Sequence, residues 1–198
     1  MIKLSSVNFS YGEKIILNDF SLEVMDGECV VLKGPSGCGK TTAAMIVCGL
    51  LKPSSGEILS SEKISVVFQE DRFVNNLSLL QNIRLPLSKK DYPIADNLLK
   101  RVGLYEDRYK KISELSGGMK RRAAIVRAIA FNGDSLILDE AFNGIDNDNK
   151  NICADIIKEY FLDKNKPVLF ITHNDEDGNL FGAKQFLKIG RASCRERV

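Results

Sequence analysis

Hydrophobic and polar residues alternate along residues 3–9 and 20–24, the period of strands with one face in a core and one in water. Residues 28–33 form a more continuous apolar run that stops at Gly34, the pattern of a buried parallel strand. A helix is predicted over 39–51, halted by Pro53 and the turn Ser54-Ser55-Gly56. Short strands fit 57–59 and 63–69. From 77 to 112 the spacing turns helical, with Leu79, Leu80 and Ile83 followed by Ile94, Leu98, Leu99 and Val102. Helix, strand, helix and strand then return over 118–131, 136–139, 149–161 and 168–172. This alternation predicts an α/β fold, a parallel sheet covered by helices on both faces, interrupted by a helical insertion.

Composition narrows the class. A chain of 198 residues, 44% hydrophobic and 27% charged, suffices for one sizeable core and excludes a disordered chain or a disulfide-dense miniprotein. Its apolar runs are strand-sized, short of the ~20 residues a membrane-spanning helix needs, and no basic segment followed by an apolar run signals secretion. The scattered Cys29, Cys38, Cys48, Cys153 and Cys194 show no C-x-x-C spacing, as in a reducing compartment. The net charge of +2 resides in residues 189–198, whose back-translation matches a common sequencing-adapter read; this tail is expected to be non-native. Residues 1–188 carry 25 basic and 25 acidic side chains, so no basic excess argues for nucleic acid.

Chemistry enters with Gly34-Pro35-Ser36-Gly37-Cys38-Gly39-Lys40-Thr41, which fits G-x-x-x-x-G-K-[ST] between a predicted strand and a predicted helix. The glycines let successive amides point inward as a nest for anionic oxygens, and the helix N-terminus adds partial positive charge. Lys40 can reach β- and γ-phosphates, and the Thr41 hydroxyl can ligate Mg²⁺. A plain Gly-rich turn is the competing reading, and its chance occurrence in this setting is remote. Leu136-Ile137-Leu138-Asp139-Glu140 is an apolar strand ending in two carboxylates, at the sheet edge where ligands bind. Asp139 is expected to serve Mg²⁺ and Glu140 to polarise an attacking water; a solvated acidic strand end is the alternative. His173, the only histidine, closes another core strand, within reach of a γ-phosphate at that edge. Leu115-Ser116-Gly117-Gly118-Met119 precedes a strongly helical segment, with Ser116 a natural N-cap; alone, it could be no more than a cap.

Together these residues resemble the ATP-binding cassette of ABC transporters, across essentially all of residues 1–188. The phosphate loop, Gln69, Leu115–Met119, Leu136–Glu140, Asp146 and His173 stand in the family's order. The resemblance implies a P-loop NTPase core (1–75 and 119–188) with an N-terminal antiparallel β sub-domain, and a helical sub-domain (76–118) carrying the signature segment. It implies Mg-ATP bound by Gly34, Pro35, Ser36, Gly37, Cys38, Gly39, Lys40, Thr41 and Thr42, with Tyr11 stacked on adenine. Thr41, Gln69 and Asp139 would hold Mg²⁺; Lys40, Glu140 and His173 would be catalytic. Ser116, Gly117 and Gly118 would bind the γ-phosphate of ATP held by a second cassette, with Asp146 communicating between the two. The implied partners are that second subunit, in a homodimer or heterodimer, and separate transmembrane permease subunits at the cytoplasmic face of the membrane. Met119, Phe142 and Val67-Phe68-Gln69-Glu70-Asp71-Arg72 are similar to bacterial importers of sulfonates and nitrate. An exporter, a soluble ABC ATPase acting on ribosomes or protein complexes, and a non-catalytic ATP-gated module are the alternatives.

Overall fold

The computed structural model describes residues 1–183 and 185–188, so the suspected tail at 189–198 lies outside the described residues. Strands β1 (Ile2–Tyr11), β2 (Lys14–Val24), β3 (Cys29–Lys33), β4 (Ser55–Leu59), β5 (Ile64–Val67), β6 (Ser135–Asp139), β7 (Val168–Ile171) and β8 (Gln185–Lys188) are interleaved with six α-helices. These are α1 (Lys40–Val47), α2 (Leu79–Arg84), α3 (Tyr92–Arg101), α4 (Gly117–Phe131), α5 (Asn147–Tyr160) and α6 (Asp175–Asn179).

Two sheets form. The first is antiparallel, in the order β2-β1-β4; the second is parallel, in the order β5-β6-β7-β3-β8. Parallel strands are buried on both faces, and here alternate residues enter two separate cores. Val31, Leu136, Leu138, Val168 and Phe170 face the core shared with α2, α3, α4 and α5. Val30, Leu32, Ile137, Leu169 and Ile171 face the other, which α1 and the antiparallel sheet complete. The helical residues singled out by spacing join the first core: Leu79, Leu80, Ile83, Leu98, Leu99 and Val102 are buried, and Ile94 packs against it.

Several boundaries differ from expectation. The second strand begins at Lys14, well before residue 20, and pairs with β1 through a hairpin at Tyr11↔Lys14. Register shifts between Leu4 and Ser10 interrupt the period-two pattern that would have shown it. Helix α1 ends at Val47, short of residue 51, because Gly49 turns the chain at φ +70° before Pro53 is reached. β8 and α6 carried no signal read from the sequence.

A candidate nucleotide site at the carboxyl edge of the parallel sheet

The loop between β3 and α1 is shaped by close approach. Gly39 caps α1 at φ +108°, and a Cβ there would lie 2.9 Å from Leu17 Cδ2 and 3.2 Å from the Ile16 carbonyl oxygen. Any side chain would drive the loop off β2. Pro35, Ser36 and Gly37 are exposed, whereas Cys38 and Thr42 turn inward and are buried. Lys40 is only 7% exposed, and its ammonium folds back over the loop, donating to the carbonyls of Gly34 at 2.7 Å and Pro35 at 3.1 Å. The first turn of α1 holds no acidic residue to offset its exposed amides. A cationic loop leading into a helix N-terminus results, suited to a phosphate group.

Strand β6 delivers both carboxylates to the same edge. Asp139 and Glu140 are buried, and the Thr41 hydroxyl donates to Asp139 Oδ2 at 2.7 Å, joining α1 to β6. Burial pushes the Asp139 carboxyl above its ordinary value, against the opposing pull of the Thr41 hydroxyl and nearby Lys40. β7 lies beside β6, and the Glu140 amide donates to Ile171 O at 2.9 Å. That pairing sets His173, two residues past Ile171, opposite Glu140. His173 Nε2 stands 3.0 Å from Glu140 Oε1.

Glu140 is the most constrained residue of the edge. Its φ of +52° is unusual for a side chain larger than Gly. Oε2 accepts from Asn143 Nδ2 at 3.1 Å. Oε1 is buried and accepts no hydrogen bond, since His173 is close but not in hydrogen-bonding alignment. One carboxylate oxygen is therefore held and the other left open, the arrangement of a base awaiting a donor.

The remaining candidates lie at other places. Gln69 is exposed just beyond β5, which neighbours β6, so it reaches the same sheet edge. The hydroxyl of Thr41, the carboxylate of Asp139 and the amide of Gln69 are hard oxygen donors, the kind that suits Mg²⁺. Tyr11 is 52% exposed at the end of β1, edge-to-face with Phe9 at 4.9 Å. Ser116 caps α4, accepting from the Met119 amide at 3.3 Å. Ser116 and Gly117 stay exposed, with open space where a Gly117 Cβ would stand. Among the described residues no hydrogen bond joins Ser116, Gly117 or Gly118 to the phosphate loop. Gly118 is tight: a Cβ would meet the Gly144 carbonyl oxygen at 2.9 Å. Asp146 caps α5, accepting from the Asn149 amide at 3.0 Å.

Sequence reasoning passed over Arg121 and Arg127. From α4, Arg121 donates to the carbonyls of Phe68 (2.9 Å) and Gln69 (2.8 Å) and to Asp71 Oδ1 (2.9 Å). Arg127 donates to the carbonyls of Asp71 at 2.7 Å and Arg72 at 3.1 Å. The segment following β5 is thus bound to the helix that Ser116 opens.

Comparison with known proteins agrees with this geometry. The sequence profile of the family described as "ABC transporter" matches residues 17–143. The taurine import ATP-binding protein TauB of Roseobacter denitrificans is 34% identical across 88% of this chain and 70% of its own length. TauB of Yersinia pestis is 33% identical, over 96% of this chain and 79% of its own. Among solved structures, the ATP-binding cassette MJ0796, in a dimeric post-hydrolysis state bound to ADP and Pi, superposes with a TM-score of 0.85. It is 28% identical and covers 96% of this chain and 94% of its own. The phosphate loop, the paired carboxylates, the profile match and these relatives give one conclusion: the chain belongs to the ABC transporter family, as an ATP-binding subunit that hydrolyses ATP.

Proposed function

We propose that this chain drives import of a small organic anion of the sulfonate class, as a dimer seated on separate transmembrane permease subunits at the cytoplasmic face of the membrane. The taurine-import names of two relatives support the direction and the class of solute. Among the described residues no helix is long and apolar enough to cross a membrane.

In this reading residues 1–188 act as one cassette, with 76–118 a helical sub-domain attached to the nucleotide-binding core. Tyr11 stacks on the adenine. Backbone N–H groups of Gly34 and residues 36–42 and the Lys40 ammonium bind the phosphates. Thr41, Asp139 and Gln69 would hold Mg²⁺, which when bound would shield phosphate charge. Glu140 takes a proton from the attacking water at its open Oε1, and His173 steadies the γ-phosphate beside it. Ser116, Gly117 and Gly118 close over the γ-phosphate of a second subunit's ATP, and Asp146 lies along that interface. Loss of the γ-phosphate removes the bridge and lets the pair open.

One observation carries this account: a buried carboxylate oxygen without a donor at Glu140, 3.0 Å from His173, on the same edge as the phosphate loop. The test is a colorimetric phosphate-release assay with fluorescent-nucleotide binding alongside. Glu140→Gln should bind ATP as tightly as the wild type and release phosphate at least ~10²-fold more slowly. Lys40→Ala should lose nucleotide binding. Wild-type turnover by Glu140→Gln would remove the carboxylate from the mechanism. For the transport step, reconstitution with its transmembrane permease subunits should give ATP-dependent uptake of a sulfonate into vesicles; outward movement would reverse the assigned direction.

A further inference from the structure

Behind His173 lies a buried charge pair that the hydrolytic account leaves unused. Asp177 in α6 is 2% exposed, and its Oδ1 accepts from Lys150 Nζ of α5 at 2.8 Å. The Lys150 side chain is itself only 15% exposed. Desolvating two charges often costs as much as their attraction returns, and an apolar pair of similar volume holds two elements together at least as well. Adhesion alone is therefore a poor reason for this pair.

Its contacts suggest a better one. The second carboxylate oxygen of Asp177 receives the Thr172 hydroxyl at 3.5 Å, and Oδ1 receives Asn174 Nδ2 at 3.4 Å. Thr172 and Asn174 are the two neighbours of His173. The Thr172 hydroxyl also accepts from the Asn174 amide at 3.1 Å, and Asn174 Oδ1 accepts from the Glu176 amide at 2.9 Å. Asp177 thus gathers both flanks of His173 into one closed network. At the other end, Lys150 lies one turn into α5, its amide donating to the carbonyl of the capping Asp146 at 2.9 Å.

We propose that Asp177 and Lys150 are positioning residues for ATP hydrolysis, fixing His173 against Glu140 and tying that placement to the N-terminal turn of α5. His173 is 52% exposed, and its 3.0 Å approach to Glu140 is not an aligned hydrogen bond, so that approach alone sets its position only loosely. The Lys150–Asp177 pair fixes it from behind, and displacement of the α5 terminus is passed to His173. The inference rests on the hydrolytic roles given above to Glu140 and His173.

Steady-state hydrolysis by the full chain, with nucleotide affinity measured separately, tests it. Asp177→Asn and Lys150→Met should each lower kcat by about 10- to 100-fold, the range a misplaced catalytic group produces. KM and ATP affinity should stay within about threefold. Lys150→Arg, which keeps a cation in reach, should recover most of the loss. The apolar double variant Lys150→Met/Asp177→Leu separates position from folding: it should melt no lower than the wild type yet keep the reduced kcat. Recovery of wild-type kcat by that double variant overturns the proposal, as does a single-variant loss confined to ATP affinity. Glu140→Gln in the same assay distinguishes the two readings. If it turns over normally, the site assignment fails. If it is inactive while the Asp177 and Lys150 variants keep wild-type kcat, only the positioning role is lost.

Discussion

Asp139, proposed above as a Mg²⁺ ligand, shows how such a role works against folding. Burial raises its folded pKa above the unfolded value, so the folded chain keeps that proton to higher pH. The resulting stability is present below the ordinary carboxylate range and is lost as pH rises through the raised value. At neutral pH the ionised carboxylate is then a cost, offset only in part by the Thr41 hydroxyl. Asp139→Asn should raise stability at pH 7.5 by about 0.5–2 kcal/mol while weakening the Mg²⁺ dependence of hydrolysis. Thermal melts should show the gap between variant and wild type narrowing toward pH 4; a variant less stable at pH 7.5 would mean that the Thr41 contact outweighs desolvation. Tyr11 belongs to the same scale. Its ring is half exposed and lies edge-to-face against Phe9. Stacking on a base is worth about 1–3 kcal/mol and reads no base edge, so Tyr11→Ala should weaken ATP and GTP alike by about 5- to 150-fold in a displacement titration. Unchanged affinities would leave Tyr11 as a strand-end aromatic.

At the scale of elements, local chemistry was legible in the sequence and long-range contact was not. The phosphate loop is continuous in sequence, and its glycines and Lys40 announce it between a strand and a helix. Ser116 declares itself as an N-cap for the same reason, and it caps α4 here. The early half of β2 was hidden because register shifts against β1 place extra residues in β2 between Ile15 and Phe20 and break its alternation, leaving Ile15 68% exposed. The Glu140–His173 approach depends on β6 and β7 being neighbours, a fact of sheet order that no local spacing encodes. Arg121 looked like one cation in a basic helical run, yet it is 7% exposed and holds residues some fifty positions away. Arg121→Ala leaves the Phe68 and Gln69 carbonyls and the Asp71 carboxylate short of a donor. It should cost about 1–3 kcal/mol in denaturant unfolding. Arg121→Lys should recover little of this, because an ammonium cannot span the fork of acceptors. Full stability in Arg121→Ala would show that Arg127 alone secures the segment.

For the molecule as a whole, the two cores divide the labour. One packs the parallel sheet against α1 and the antiparallel strands, fixing the phosphate loop and presenting Tyr11. The other packs the opposite face of the same sheet against α2 to α5, fixing the helix that Ser116 opens. Within one chain these surfaces are not joined by any hydrogen bond among the described residues, although both have the character of phosphate sites. The proposed closure by a second ABC subunit would join them, and the solved dimers of the cassette MJ0796 are built from a chain of the same fold.

The most direct measurement is the mass of Glu140→Gln in solution, by size-exclusion chromatography with light scattering, with and without Mg-ATP. The amide keeps the shape of the carboxylate but cannot take the proton of water, so ATP persists between the phosphate loop of one subunit and residues 116–118 of the other. The account predicts a dimer that forms only with ATP and is abolished by adding Ser116→Arg, while nucleotide binding at Lys40 survives. A Glu140→Gln chain that binds ATP, fails to hydrolyse it and remains monomeric at every protein concentration would contradict the shared-site mechanism for this chain paired with itself.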